Sequence, residues 1–365
     1  MNIHYKIFSL AFFLSFFLLA SGQIDSLKTN PLPEKTVNKN YERAFLYISS
    51  MLESKKDLSF KKAVFVTENA YLDEAISEEK YDQAIDGLKT LCNHLKKMYR
   101  IENYREKDSL NFFLNGITYN LISDTLRIYS PDKEYYHLPY TYDFYDFFGK
   151  TYWDKTFVIN LLTDNSGTCR SLPYLYKIIA DEIGAKCWLS LAPQHIYIKN
   201  YSKQFGWYNT ELTSKEFPTE GWVMASGYIT LEAVQNGIFM DTIGTKQAVA
   251  LCLVDLANGY NRKLKNNDGN FVIKCCDLSL KYFPTNINAM LLKAETLKDI
   301  YLKNKENDLG KKTYQEMLDL YLKIHKLGYR EMPEAMYMEW MKSLQTQKDK
   351  FVDKKISDTF KNNKK

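Results

Sequence analysis

The tightest constraint in this chain is a change of period between residues 169 and 212. Leu172, Leu175, Tyr176, Ile179, Ala180 and Ile183 recur at helical spacing from Cys169 to Ile183 and stop at Gly184-Ala185. Three short strand candidates follow, Cys187 to Ala192, His195 to Lys199 and Trp207 to Leu212, separated by turn formers such as Pro193 and Gly206. A helix leading into antiparallel strands predicts an α+β layout, with the helix packed on the sheet.

The flanks read as helical. Ala44, Leu46, Tyr47 and Met51, then Ala63, Val64, Val66 and Ala70, then Ala84, Ile85, Leu88, Leu91, Leu95 and Met98 mark a mainly helical N-terminal region over 41–150. Its last fifty residues are mixed and rich in aromatics. After the central α+β segment, 151–227, residues 228–345 are helical again. The stretch Cys275 to Glu295 has the helix, Tyr-Phe-Pro, polar turn and Ala-containing helix that mark a tetratricopeptide-like junction. A second helix pair is expected near 311–327 and 333–344. Two repeats are too few for a free-standing solenoid, so this region should lean on its neighbour.

The ends read differently. Lys6 precedes a fourteen-residue apolar run, Ile7 to Ala20, and small residues at Ala20 and Gly22 suit cleavage after Gly22. That run is short of the roughly 20 residues a membrane-spanning helix needs. Residues 1–22 are therefore expected to be a signal peptide, leaving an exported periplasmic or secreted protein without a transmembrane segment. Residues 23–40, polar and with two prolines, read as a flexible linker. Much of the excess of 49 Lys and Arg over 44 Asp and Glu lies in a Lys-rich tail, 346–365. A basic tail is ordinarily solvated, and nothing here resembles a phosphate-tracking surface, so no nucleic-acid partner is expected.

The chemistry-bearing residues gather at the period change. Gly167-Thr168 precedes Cys169, which places the thiol at the first turn of the helix, where the dipole and free amides favour thiolate and offer an oxyanion donor. Thr168 or Ser166 can cap that helix, and Pro173 is close enough to its start to be tolerated. A thiolate needs an imidazole. Among His94, His137, His195 and His325, His195 is the candidate, since it opens a strand that packs on the same helix. An orienting group is expected from Trp207 to Thr213, where Glu211 and Asn209 share a face and either could serve. Asn165 is a further oxyanion candidate. The other cysteines, at 92, 187, 252, 275 and 276, show no disulfide framework and read as buried small hydrophobes. No paired-Cys or His-rich spacing suggests a metal, and no cofactor is implied.

Gly167-Thr168-Cys169 with its helix, then His195 in a strand, then Trp207 to Thr213, resembles the transglutaminase-like superfamily, in which Cys, His and Asp follow in that order. With helical repeats behind it, the arrangement is similar to bacterial transglutaminase-like proteins of the SirB1 type. The resemblance covers about residues 150–225 and implies a papain-like core with thiol chemistry at an amide or peptide carbonyl: a cysteine protease, amidase or transamidase acting on a protein or peptide substrate. The sequence departs from the pattern at Glu211-Leu212, where the family has Asp followed by Pro, and at His195-Ile196-Tyr197, where the family often has His-Ala-Trp. A rival expectation is a catalytically degenerate scaffold, with the C-terminal helices holding a protein or peptide partner.

Overall fold

In the computed structural model, which describes residues 33–101, 104–129 and 134–361, the chain is α+β. Four helices come first: α1 (Glu34–Leu52), α2 (Phe60–Tyr71), α3 (Glu78–Met98) and α4 (Ser109–Ser123). A hairpin of β1 (Leu126–Tyr129) and β2 (Glu134–His137) follows, then the short β3 (Thr141–Tyr142). Next come α5 (Val158–Asp164), β4 (Ser166–Gly167) and the central helix α6 (Ser171–Glu182). Strands β5 (Trp188–Ala192), β6 (His195–Ser202) and β7 (Gly206–Thr210) form an antiparallel sheet in that order. The remainder is helical: α7 (Glu220–Ser226), α8 (Leu231–Gln235), α9 (Thr245–Lys263), α10 (Asn270–Tyr282), α11 (Ile287–Lys303), α12 (Asp308–Lys326), α13 (Glu334–Thr346), α14 (Lys348–Phe351) and α15 (Lys354–Lys361). Among the described residues, no helix is long and apolar enough to cross a membrane.

The central helix α6 is buried on nearly every side. It packs on α2, α3, α4 and α5 and on strands β5 and β6. Ten consecutive buried residues, Ser171 to Ala180, explain why the period seen in sequence is only one face of a helix buried almost all round. One contiguous apolar core runs from Val37 to Phe360, so the N-terminal, central and C-terminal segments share it. Helix α9 is the main link, packing on α1 and α2 on one side and on α10 on the other. The helix pair α10–α11 occurs where repeat-like spacing placed it, and helices α12 and α13 form near 311–327 and 333–344, but α12 packs chiefly back on α11. At the junction of α10 and α11 Phe283 is buried and Asn286 caps α11 through the Ala289 amide.

Two segments differ from expectation. The linker expected over 23–40 is helical from Glu34, because Val37, Tyr41, Ala44, Phe45 and Ile48 form a buried stripe. Pro33 starts that helix at a position where its missing N–H is no loss, and Tyr41 meets Tyr260 edge-on at 5.3 Å. The signal segment 1–22 and residues 23–32 lie outside the described residues. The tail expected to be solvated instead folds into α14 and α15, with Phe351, Ile356 and Phe360 buried. Lys350, Lys354 and Lys355 are exposed, while Phe351, Ile356 and Phe360, spaced by five and four, form the apolar stripe on the other side.

A buried carboxylate holds α5 in place. Glu68 of α2 accepts from the amides of Val158 and Ile159 at 2.8 and 3.0 Å, satisfying donors that the start of α5 cannot pair internally. Burial pushes this carboxyl up to about 8 against the opposing pull of those two amides. Glu68→Ala strands both buried amides, so urea unfolding is expected to show a loss of about 3 kcal/mol, with Glu68→Gln recovering part of it.

Candidate active site

The nucleophile candidate lies in a turn between β4 and α6. Strand β3 pairs in parallel with β4, Tyr142 opposite Gly167, which delivers the chain to Thr168 under fixed geometry. A Cβ at Gly167 would collide with the Ser171 hydroxyl and press on Leu161 at 2.8 Å, so glycine leaves room for this approach and for the bond Ser171 makes to the Thr168 amide. The Thr168 amide donates to the Ser171 hydroxyl at 2.9 Å, and the Thr168 hydroxyl accepts from the Arg170 amide at 3.3 Å. Helix α6 starts at Ser171, so Cys169 stands just ahead of the first turn that sequence spacing assigned to it. It remains close to the positive end of the dipole, and the Arg170 side chain adds to the favourable field at the sulfur.

His195 opens β6 and is buried, following Gln194, whose backbone is left-handed at φ 56°. The turn lets β5 and β6 pair as far as Ala192 opposite His195. The imidazole Nε2 donates to Glu211 Oε2 at 2.6 Å, and Glu211 Oε1 accepts from the Thr213 amide at 2.8 Å. The carboxylate is thus held at both oxygens. Glu211 and Glu216 exchange backbone hydrogen bonds at 2.8 and 3.0 Å, closing the turn that aims the carboxylate. The extra methylene of Glu relative to Asp is therefore accommodated. The other imidazole nitrogen, Nδ1, is buried without a hydrogen bond of good geometry, and the Cys169 thiol is its neighbour in the site. The thiol itself lies 3.8 Å from the Gln194 carbonyl, to which it can donate.

Asn209, the alternative orienting group, does other work. Its amide nitrogen donates to the Pro218 carbonyl at 3.0 Å, tying β7 to the following loop. Asn209→Ala is expected to lower stability by about 1 kcal/mol while leaving the pH profile of Cys169 alkylation in place. Glu211→Gln is expected to move that profile's alkaline limb downward. Asn165 caps α5 in the left-handed region, and its carbonyl accepts from the Thr141 amide and hydroxyl at 2.8 and 3.1 Å. These backbone bonds pin β3 to β4.

Charge at the site is arranged for an ion pair. Burial alone would hold the His195 imidazole neutral, but the Glu211 carboxylate and the sulfur raise it to about 10. Burial alone would raise the Cys169 thiol, and the adjacent imidazole overturns that and brings it below the ordinary thiol range. Glu211, likewise desolvated, is kept below its usual value by His195 and Thr213. The contrast with the remaining thiols is sharp: burial pushes Cys92, Cys187 and Cys276 up to about 12 and raises Cys252 and Cys275 well above the ordinary thiol value. Those five are buried and unpaired, whereas Cys169 is partly accessible.

Several neighbours were not foreseen from sequence. Trp340 of α13 meets the imidazole edge-on at 4.9 Å, covering the His195–Glu211 pair. Tyr337, one turn earlier, packs on Phe147 and Phe148 at 5.5 and 4.9 Å. Tyr142 reaches Met341 of the same helix, its hydroxyl 3.6 Å from the sulfur. The aromatic spacing 337, 340 was readable as one helix face, but nothing in it pointed to a site 140 residues upstream. Beside Gln194 opens a cleft of about 610 Å³, walled by Phe148, Lys150, Arg262, Glu331 and Glu334 among others. An ion pair between Lys150 and Glu334, 2.8 Å, ties the start of α13 to the opposite rim. Among the described residues, no group of three or more His, Cys, Asp or Glu side chains is placed to hold a metal ion.

No protein-family model matches the sequence, and neither the curated proteins nor the solved structures give a significant match.

Proposed function

We propose that the chain is an exported thiol enzyme of transglutaminase-like type, with a papain-like core, acting on amide or peptide carbonyls through a thioester on Cys169. The observation that carries this reading is the hydrogen-bonded His195–Glu211 pair at 2.6 Å beside the one cysteine whose thiol is shifted toward thiolate. Five other thiols in the same chain are shifted the opposite way, so the arrangement at Cys169 is specific to that position.

The Cys169 thiolate attacks the carbonyl carbon, forming the C–S bond while the carbonyl π electrons pass to oxygen. Collapse of that intermediate breaks the C–N bond, and the His195 imidazolium gives its proton to the departing amine. The imidazole, now neutral, takes a proton from water or from an acceptor amine as it attacks the thioester, which restores the thiolate–imidazolium pair. Glu211 holds the ring with Nε2 turned away from the sulfur and stabilises its charge throughout. The cleft beside Gln194 supports entry of an extended substrate from that side.

The test is acylation by p-nitrophenyl acetate, which needs no knowledge of the natural substrate. The expected result is a burst of p-nitrophenolate equal to the enzyme present, an acetyl group located on Cys169 by peptide mass mapping, and no burst from Cys169→Ala. Labelling spread over surface lysines, with Cys169→Ala behaving as the parent, would sink the reading.

A further inference from the structure

Two tyrosine hydroxyls converge on the nucleophile from elements far apart in the chain. Tyr142 comes from β3, fixed by its pairing with Gly167, and Tyr337 comes from α13, fixed by its ring contacts with Phe147 and Phe148. Both interact with the Cys169 sulfur and with each other. Beyond the sulfur and each other, the phenols have weak partners: the Tyr337 hydroxyl is fully buried and makes no hydrogen bond of good geometry, and the Tyr142 hydroxyl lies 3.6 Å from the Met341 thioether, a weak acceptor. A buried O–H without an acceptor is costly, and proteins retain such groups where something else supplies the acceptor.

We propose that the Tyr142 and Tyr337 hydroxyls are the donors that receive the oxyanion when Cys169 is acylated, so that α13 completes the catalytic site from the C-terminal region. This rests on the acyl-thiol reading above. The oxygen that becomes anionic lies one bond from the carbon attacked by sulfur, so donors gathered around the sulfur are within reach of it. Burial raises both phenols well above the ordinary tyrosine value, and the nearby sulfur adds to the rise, so they remain O–H donors at any working pH. The phenols act alongside the Cys169 backbone amide, which stands just ahead of α6, while Asn165 is held through its backbone by Thr141 and Leu161. Trp340 Nε1 is also buried without a partner, but its ring lies against the imidazole, where it shields the His195–Glu211 bond.

Two probes separate this role from its alternatives, because alkylation by iodoacetamide passes through no oxyanion and acetylation by p-nitrophenyl acetate does. In the full chain, Tyr337→Phe and Tyr142→Phe keep the rings and their packing. Each is expected to leave the iodoacetamide rate at Cys169 within about twofold and to slow acetylation about 100-fold. Unchanged acetylation overturns the proposal. Equal slowing of both probes also overturns it, since the tyrosines would then govern only access or thiol ionisation, and faster alkylation would make them restraints on the thiolate instead. A parent protein that is alkylated at Cys169 but never acetylated there sinks the acyl-thiol reading itself, and this proposal with it.

Discussion

His195→Ala is expected to slow iodoacetamide labelling of Cys169 at about pH 6 by up to roughly 300-fold, the largest single effect on reactivity the site should show. The ceiling follows from ionisation alone: a thiol at its free value of ~8.5 is only about one part in 300 thiolate there, and the imidazolium beside Cys169 lowers its thiol and raises that fraction. Burial of the site pushes the same way, because without the imidazole only desolvation acts strongly on the sulfur, and that raises the thiol. The parent profile should be broad, rising on the acid side as the Cys169 proton leaves and changing again near about 10, where His195 gives up its proton. Labelling rates across pH, followed by mass spectrometry, check both limbs; coincident parent and variant profiles would remove the pair from consideration.

The same shifts make a separate statement about stability. His195, raised on folding, contributes stability that is complete below its unfolded value of ~6.5 and is lost as pH climbs through about 10. Cys169, lowered on folding, contributes stability that is complete above ~8.5 and lost as pH falls through its depressed folded value. Between roughly pH 6.5 and 8.5 the two slopes have opposite sign and offset one another. Glu211, also lowered, matters only on further acidification, below ~4.3. Reactivity at the thiol is therefore set by the pair, while just below ~8.5 their contributions to folding pull in opposite directions as pH changes.

What could be read from the chain was whatever local pattern determines. The helix after Gly167-Thr168, the three strands behind it and the capped helix pairs of the C-terminal region all follow from short-range periodicity and turn chemistry, and they appear within a few residues of where spacing placed them. The choice between Glu211 and Asn209 was not readable, because strand alternation puts both on one face. Only the turn from Glu211 to Glu216 decides it, sending one carboxylate to His195 and leaving Asn209 to Pro218. Tyr142, Tyr337 and Trp340 were invisible for a related reason. Their meaning depends on contacts spanning up to about 200 residues, which no periodicity encodes. The tail was misread because its lysines dominate the composition, while the three apolar side chains that seat it are too few to register as a pattern.

That tail is expected to be a main support of the site, which Phe360→Ala should reveal as a loss of about 4 kcal/mol in urea unfolding. Phe360 stacks on Phe112 at 4.6 Å and on Phe217 at 5.1 Å, and its ring fills the space over Gly116, where an added Cβ would meet it at 2.5 Å. Glycine at 116 and phenylalanine at 360 are thus complementary shapes, and truncation leaves a cavity that the rigid α4 backbone cannot collapse to fill. The consequence should reach the chemistry. Just before α15, the Asp353 amide donates to the Phe217 carbonyl at 2.8 Å and the Thr219 amide donates to the Phe351 carbonyl at 3.0 Å, so the tail is laced to the segment that follows the Glu211–Glu216 turn. Lys348 reinforces it by donating to the Ser214 carbonyl at 2.6 Å. Loosening α15 frees that segment, lets the Glu211 carboxylate wander from His195, and should draw the alkaline limb of the Cys169 profile below about 10. A variant that loses stability yet keeps the parent profile would confine the tail to a packing role.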